Sequence, residues 1–264
     1  MSTELTISDL KDATPQQVRH AIREGRFSQP TSGLCPGYAQ ANLIVLPKED
    51  AYDFLLFAQR NPKPCPLLEV TEVGARQATI CASDCDIATD FPRYRIYRNG
   101  EMVEETTDVS SYWRDDLVSF VIGCSFSFES ELIEAGIEMR HNTMGRNVSM
   151  YLTNIDCTTA GSMGGKMVVS MRPIPYSQVV QATQISGAIP KVHGAPIHIG
   201  DPAQIGIADL SKPDFGDPVD IKPGEVPVFW ACGVTPQSIV MSSKPAFAPC
   251  PIMSTFLPSF ALWK

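Results

Sequence analysis

The chain has 264 residues, 44% of them hydrophobic, enough to bury one large core or two small ones. A formal net charge of −8 argues against a nucleic-acid partner, whose phosphates call for a basic face. No apolar run is long enough to cross a bilayer, and the opening residues carry no basic or apolar signal region, so the cytoplasm is the expected compartment.

In chain order, Thr14 and Pro15 predict a capped helix over residues 15–23, with Val18 and Ile22 on one face and Gly25 beyond its end. Residues 43–46 read as a strand, 47–60 as an amphipathic helix and 67–70 as a second apolar strand. Strand, helix and strand in so short a stretch predict a parallel βαβ unit. Residues 72–92 are polar and irregular. Asn99 and Gly100 then sit between two strand-like segments as a type I′ hairpin turn would require. An apolar run over 117–124 leads through a turn at 125–127 into a helix over 128–136. Residues 147–153 and 166–172 read as strands and 176–184 as a helix. A last apolar run, 226–231, ends in Cys232 and Gly233, and Thr235, Pro236 and Gln237 open a helix. These elements predict an α/β fold: a mainly parallel three-layer sheet core, residues 1–138 plus 194–264, with a smaller inserted α+β subdomain over 139–193. No internal repeat points to a solenoid or propeller.

Eight cysteines without an export signal are expected as reduced thiols. Cys81 and Cys85 would supply half a zinc site. No second pair stands at ligand spacing, and His20, His141, His193 and His198 are scattered, so no structural zinc is expected.

The chemistry is expected where strand, turn and helix meet, which happens twice. Such a turn leaves backbone N–H groups for an anion and lowers the pKa of a thiol placed there. Cys124 and Cys232 are therefore candidate catalytic thiols around a shared pocket, the alternative being two small buried hydrophobes. Ser125, Ser127, Gly233, Thr235 and Gln237 are candidate hydrogen-bond partners for a substrate carboxylate, or else helix caps. Arg146, with Asn147 and Asn154, and Arg172 are candidate anchors, because guanidinium grips a carboxylate in a fork; for Arg172 an internal salt bridge is the alternative. Glu129 at a helix start complements the dipole or acts as an acid–base group. His193 and His198, in a Gly/Pro-rich stretch with Asp201, are candidate general bases, or structural histidines. A serine hydrolase would need a Gly-x-Ser-x-Gly elbow and a dinucleotide site a Gly-x-Gly-x-x-Gly loop. Neither is present at the right place.

Several segments taken together resemble one known family. They are Gly37-Tyr38 with Gln40-Ala41-Asn42, Arg60-Asn61-Pro62-Lys63-Pro64-Cys65-Pro66, Gly123-Cys124-Ser125-Phe126-Ser127-Phe128-Glu129, Arg146-Asn147 with Asn154, Ser170-Met171-Arg172-Pro173, His193-Gly194-Ala195-Pro196 with His198, and Phe229-Trp230-Ala231-Cys232-Gly233-Val234-Thr235-Pro236-Gln237. From residue 12 to residue 248 the chain is similar to the bacterial hydro-lyase family related to D-glutamate cyclase. The resemblance implies a three-layer α/β core with a smaller α+β domain and a carbon–oxygen lyase of amino-acid metabolism. Relatives close D-glutamate to 5-oxo-D-proline with loss of water. The expected partner is a small anionic substrate, with neither nucleic acid nor membrane; a homo-oligomer stays open. The chemistry calls for no organic cofactor and leaves a divalent metal open. After Ala248 the family pattern continues with a His-Ala-Pro-Gly segment and a Thr-Asp pair, which the residues from Pro249 to Lys264 lack. That departure motivates a second expectation: a catalytically impaired protein that binds or regulates through a small carboxylate.

Overall fold

Local signals place the first elements as the sequence predicts, in a computed structural model that describes residues 4–246 and 248–251. Helix α1 (Pro15–Arg23) opens with a reciprocal cap, Thr14 accepting the Gln17 N–H and Gln17 accepting the Thr14 N–H. Strand β1 (Ala41–Pro47), helix α2 (Lys48–Arg60) and strand β2 (Leu67–Val70) follow. The irregular stretch before β3 is fastened to α1 and to itself by ion pairs: Arg19 with Asp84, Arg23 with Asp90, Arg76 with Asp86. Strands β3 (Tyr94–Arg98) and β4 (Glu101–Thr106) form the hairpin, with Asn99 at φ 52° and Gly100 at φ 82°. Strand β5 (Leu117–Gly123) runs through a 3-10 turn (Ser125–Phe128) into helix α3 (Glu129–Glu134). Next come the one-turn helix α4 (Arg140–Thr143), strands β6 (Ser149–Asp156) and β7 (Lys166–Pro175), and helix α5 (Val179–Gly187). Strands β8 (His198–Ile199) and β9 (Glu225–Ala231), helix α6 (Val234–Ser243) and strand β10 (Ala248–Pro251) complete the described chain.

Three sheets result, ordered β1-β5-β2, β10-β3-β4 and β6-β7-β9-β8, and every pairing in them is antiparallel. This corrects the mainly parallel three-layer core expected from the sequence. Strands β1 and β2 do point the same way, as a strand–helix–strand unit suggests, but β5 lies between them and runs against both. Burial explains why the apolar runs misled. Both β1 and β5 are buried at every position. Ile44, Leu46, Phe120 and Ile122 share a cluster with Phe54 and Phe57 of α2, the Phe54 and Phe120 rings meeting edge-on at 4.7 Å. Leu43, Val45, Leu117 and Val121 share another with Ala78, Ala88 and Phe91 of the irregular stretch. An antiparallel sheet covered on both faces gives the same unbroken apolar run as a parallel one.

The second large sheet is also covered twice. Val226, Val228 and Trp230 of β9 cluster with Phe128, Leu132 and Ala182, while Phe229 clusters with Tyr151, Met171 and Ile205. Among the described residues, no helix is long and apolar enough to cross a membrane. Most of the divergent tail, residues 252–264, lies outside the described residues.

Strand β5 ends against the segment that precedes His193. A Cβ on Gly123 would stand 2.0 Å from the Lys191 carbonyl oxygen, a backbone atom that cannot swing away. Gly123→Ala should therefore cost about 2–3 kcal/mol of unfolding free energy, the range for overpacking a filled interior. The urea midpoint should fall accordingly; an unchanged midpoint would show that the Lys191 segment yields freely.

Candidate active site

The two cysteines do meet. Cys124 follows β5 and starts the 3-10 turn, and Cys232 follows β9 one residue before Gly233, the N-cap of α6. Both line one cavity of about 20 Å³, room for a single water molecule, together with Asn42, Phe126, Asn147 and Val148. The Phe126 N–H faces the Cys124 sulfur, and the Val234 and Gly233 N–H groups face that of Cys232. Burial nevertheless dominates, pushing Cys124 up to about 12 and Cys232 up to about 11 against the pull of those N–H groups and of Arg172. Both are neutral thiols near neutral pH. Each is a proton donor whose conjugate thiolate would find N–H groups already in place.

Asn42 enters this cavity from β1. It is 7% exposed, and its side-chain amide makes no hydrogen bond among the described residues. A Cβ on Gly233 would lie 2.1 Å from Asn42 Nδ2, so only glycine lets that amide rest against the Cys232 turn. Gly233 thus shapes the site through a missing side chain.

Beside the thiols lies a buried charge network. Arg172 of β7 is fully buried, and its Nε donates to Glu129 Oε1 at 2.9 Å, with a second, short bond from Nη2. Nη1 donates to Ser170 Oγ at 2.9 Å and Nη2 to Ser125 Oγ at 3.2 Å. The Phe128 and Trp230 rings stand 5.1 and 5.5 Å from its guanidinium carbon. Both oxygens of Glu129 lie 3.2 Å from His141 Nε2. Burial works to raise the Glu129 carboxyl, but the Arg172 charge, His141 and the hydrogen bonds from both outweigh it and hold it at about 2. Arg172 has its donors engaged within the protein, so its visible work is to fix Glu129 and Ser125.

The other sequence candidates are spread more widely. Ser127 Oγ accepts the Gln40 N–H at 2.7 Å and donates to the Gln40 carbonyl, fastening the 3-10 turn to the start of β1. Thr235 Oγ1 makes the same two-way contact with the backbone of Val168, locking α6 to β7. Gln237 is half-buried on α6, and Asn154 is exposed on β6 against Gly206. Arg146 is exposed, donates to the Pro218 carbonyl and lines a cavity of about 470 Å³ with Ser32, His141, Asn142 and Asn147. Asn147 borders both cavities, its Oδ1 accepting the Val148 N–H at 2.9 Å. His193 is buried in a left-handed conformation with Nδ1 2.9 Å from the Lys63 carbonyl, and burial lowers it to about 4, which leaves it neutral. His198 sits on β8 with Nε2 2.7 Å from the Asp201 carbonyl. Neither histidine lines the thiol cavity or the Arg146 cavity.

His141 is the residue that sequence reasoning passed over as a site candidate. Asn42 stands in the segment Gln40-Ala41-Asn42 that carries the resemblance, where a turn role was equally open, and the structure places it inside β1. Among the described residues, no group of three or more His, Cys, Asp or Glu is placed to hold a metal. Cys81 and Cys85 are buried free thiols.

Glu129→Gln would leave the Arg172 charge buried against a neutral amide, at an expected cost of about 3–5 kcal/mol in urea unfolding at pH 7. A carboxyl held at about 2, against an ordinary 4.5, contributes stability that is complete above pH 4.5 and lost as pH falls from there through 2. The gap between wild type and variant should shrink across that window. A gap independent of pH would assign the loss to packing.

The sequence pattern of the D-glutamate cyclase family matches residues 118–255, just over half of the chain, a span that holds Cys124, Glu129, His141, Arg146, Arg172 and Cys232. A protein named "Putative hydro-lyase" from Clostridium beijerinckii is 63% identical over 237 residues, 90% of each chain. One of that description from Stutzerimonas stutzeri is 56% identical over 241 residues, 91% of each chain. Another from Bacillus subtilis is 61% identical over 231 residues, 88% of this chain and 90% of its own. Among solved structures, a nitrogen repressor-like protein from Methanococcus jannaschii aligns over 94% of this chain and 98% of its own at a TM-score of 0.38 and 10% identity, too distant to carry an argument. On the pattern that spans both cysteine turns and on these near full-length relatives, the chain belongs to the D-glutamate cyclase family.

Proposed function

We propose that this protein is a hydro-lyase of a small amino dicarboxylate, and that it cyclises D-glutamate to 5-oxo-D-proline with loss of water. The observation that carries the reading is the pair of thiols at two strand ends, sharing with the Asn42 amide one cavity whose wall at Asn147 also borders the cavity that holds Arg146. Arg146 takes the α-carboxylate, and the γ-carboxyl reaches past Asn147 toward the thiols. The thiol cavity, at about 20 Å³, is smaller than any such group, so binding displaces the side chains that close it, Phe126 first.

The reaction forms a bond from the substrate nitrogen to the γ-carboxyl carbon and breaks one carbon–oxygen bond. The nitrogen gives up two protons and the departing oxygen takes two, leaving as water. No electrons change hands, which is why no organic cofactor is called for. Charge builds on the carboxyl oxygen as the ring closes, and the Asn42 amide and the turn N–H groups are the preorganised donors for it. Cys232, with two N–H groups at its sulfur, is the better placed thiol to release a proton to the leaving oxygen.

Proton NMR of the protein with D-glutamate and with L-glutamate tests this. 5-Oxoproline should form from the D isomer alone, and Cys232→Ala and Cys124→Ala should each lower turnover by about 100-fold or more. Full activity in both variants would remove the thiols from the mechanism. Binding of D-glutamate without turnover by the wild type would favour the impaired binding protein instead.

A further inference from the structure

We propose that His141 is the acid–base residue that activates the substrate nitrogen, and that Glu129 and Arg172 are its positioning residues; the inference rests on the dicarboxylate reading above. His141 is buried, with its ring stacked on Phe126 at 6.5 Å between centroids and 23° between planes. It therefore packs on a side chain that lines the thiol cavity while lining the Arg146 cavity itself. Its Nε2 is held by the Glu129 carboxylate, and that carboxylate is fixed from its far side by Arg172.

The hydrogen bonding decides the tautomer. An ionised carboxylate only accepts, so Nε2 must carry the proton. In the neutral imidazole Nδ1 is then the lone pair, and it makes no hydrogen bond among the described residues. An imidazole with one nitrogen tied to a buried carboxylate and the other left for a cavity is the arrangement of a general base whose cation is stabilised in advance. The charged groups around it are few. Glu129 approaches from α3, Arg172 stands behind Glu129 on β7, and Arg146 lines the same cavity after α4. Arg140, next to His141 on α4, is engaged by Glu138 and Glu225.

The neighbouring thiols cannot do this job as they stand. With burial holding both far above neutral, they are protonated and have no lone-pair charge to take a proton from an ammonium group. His141 Nδ1 removes one proton from the substrate ammonium, and the free amine attacks the γ-carboxyl carbon. The resulting imidazolium gives that proton to the departing oxygen. The second proton on that oxygen comes from a thiol, which recovers one from the ring nitrogen. Protons balance, and water is the only group released.

Kinetics and NMR on the full chain separate the outcomes. With D-glutamate, His141→Gln should lower kcat by about 100-fold while KM stays within about threefold. Glu129→Gln should loosen the Nε2–H tautomer of His141 in its 15N spectrum, because an amide that can donate as well as accept no longer dictates which ring nitrogen carries the proton. A purely structural role would lower the amount of folded protein without changing that tautomer in the folded fraction. In parallel, wild-type protein labelled with 15N-histidine is titrated with D-glutamate and with glutarate, which lacks the amine. The His141 resonances should show the Nε2–H tautomer and shift with both ligands. Turnover by wild type with kcat of His141→Gln within about threefold overturns the proposal and leaves the cyclase reading intact. No turnover by wild type defeats the cyclase reading; His141 then stands as the acid–base residue of a dicarboxylate site if its resonances shift, and falls if neither ligand moves them. A His141→Gln protein that does not fold leaves the decision to the same wild-type titration.

Discussion

Everything around the site depends on one buried ion pair. Arg172 sits in the middle of the β6-β7-β9-β8 sheet, and Glu129 begins the helix that follows β5 of the other large sheet. Burying two charges is tolerable only when the remaining donors and acceptors are also satisfied. Here Ser170 and Ser125 accept from the two terminal guanidinium nitrogens, the Phe128 and Trp230 rings stand beside the guanidinium, and His141 approaches the carboxylate. Ser125 is the residue after Cys124. The ion pair that joins the sheets therefore also sets the turn that presents the first thiol.

Two close approaches complete the arrangement, and both depend on glycine. Gly123 lets β5 press against the Lys191 backbone, and Gly233 lets the Asn42 amide lie against the second thiol turn. The strand ends are thus brought near enough for both sulfurs to border the same small cavity. Burial there holds the thiols neutral although each faces backbone N–H groups that would favour a thiolate.

Much of this was legible in the sequence, and what was missed has physical causes. The caps, the hairpin and the two strand–turn–helix passages are local, so local signals carried them. Strand pairing is not local. Nothing in the composition of β1, β2 and β5 tells which pair is adjacent, since all three are apolar and the sheet is covered on both sides. The histidines show the same limit. His193 and His198 stand in a Gly/Pro-rich stretch that resembles an active-site loop, yet each turns one ring nitrogen to a backbone carbonyl and neither lines the thiol cavity or the Arg146 cavity. His141 lies in a helix of a single turn with no motif around it, and its meaning depends on Glu129 folding back from the preceding helix. Arg172 was legible as important but not as to its partner, because sequence cannot tell an arginine that grips a ligand from one that grips a glutamate.

The division of labour follows from those environments. In the proposed cyclisation, a thiol held near 11 or 12 would part with a proton only to an oxygen that has become strongly basic, as the leaving oxygen would once the ring had closed. The same thiol is useless at the start, when an ammonium proton must be accepted near neutral pH. Imidazole is the side chain suited to that first step, and a carboxylate held ionised beside it stabilises the cation it becomes. A site that kept the thiols but lost the Glu129–Arg172 pair would retain its acid and lose control of its base. On the proposed reading, the buried charges, costly as they are to the fold, would let one small site handle protons of such different acidity.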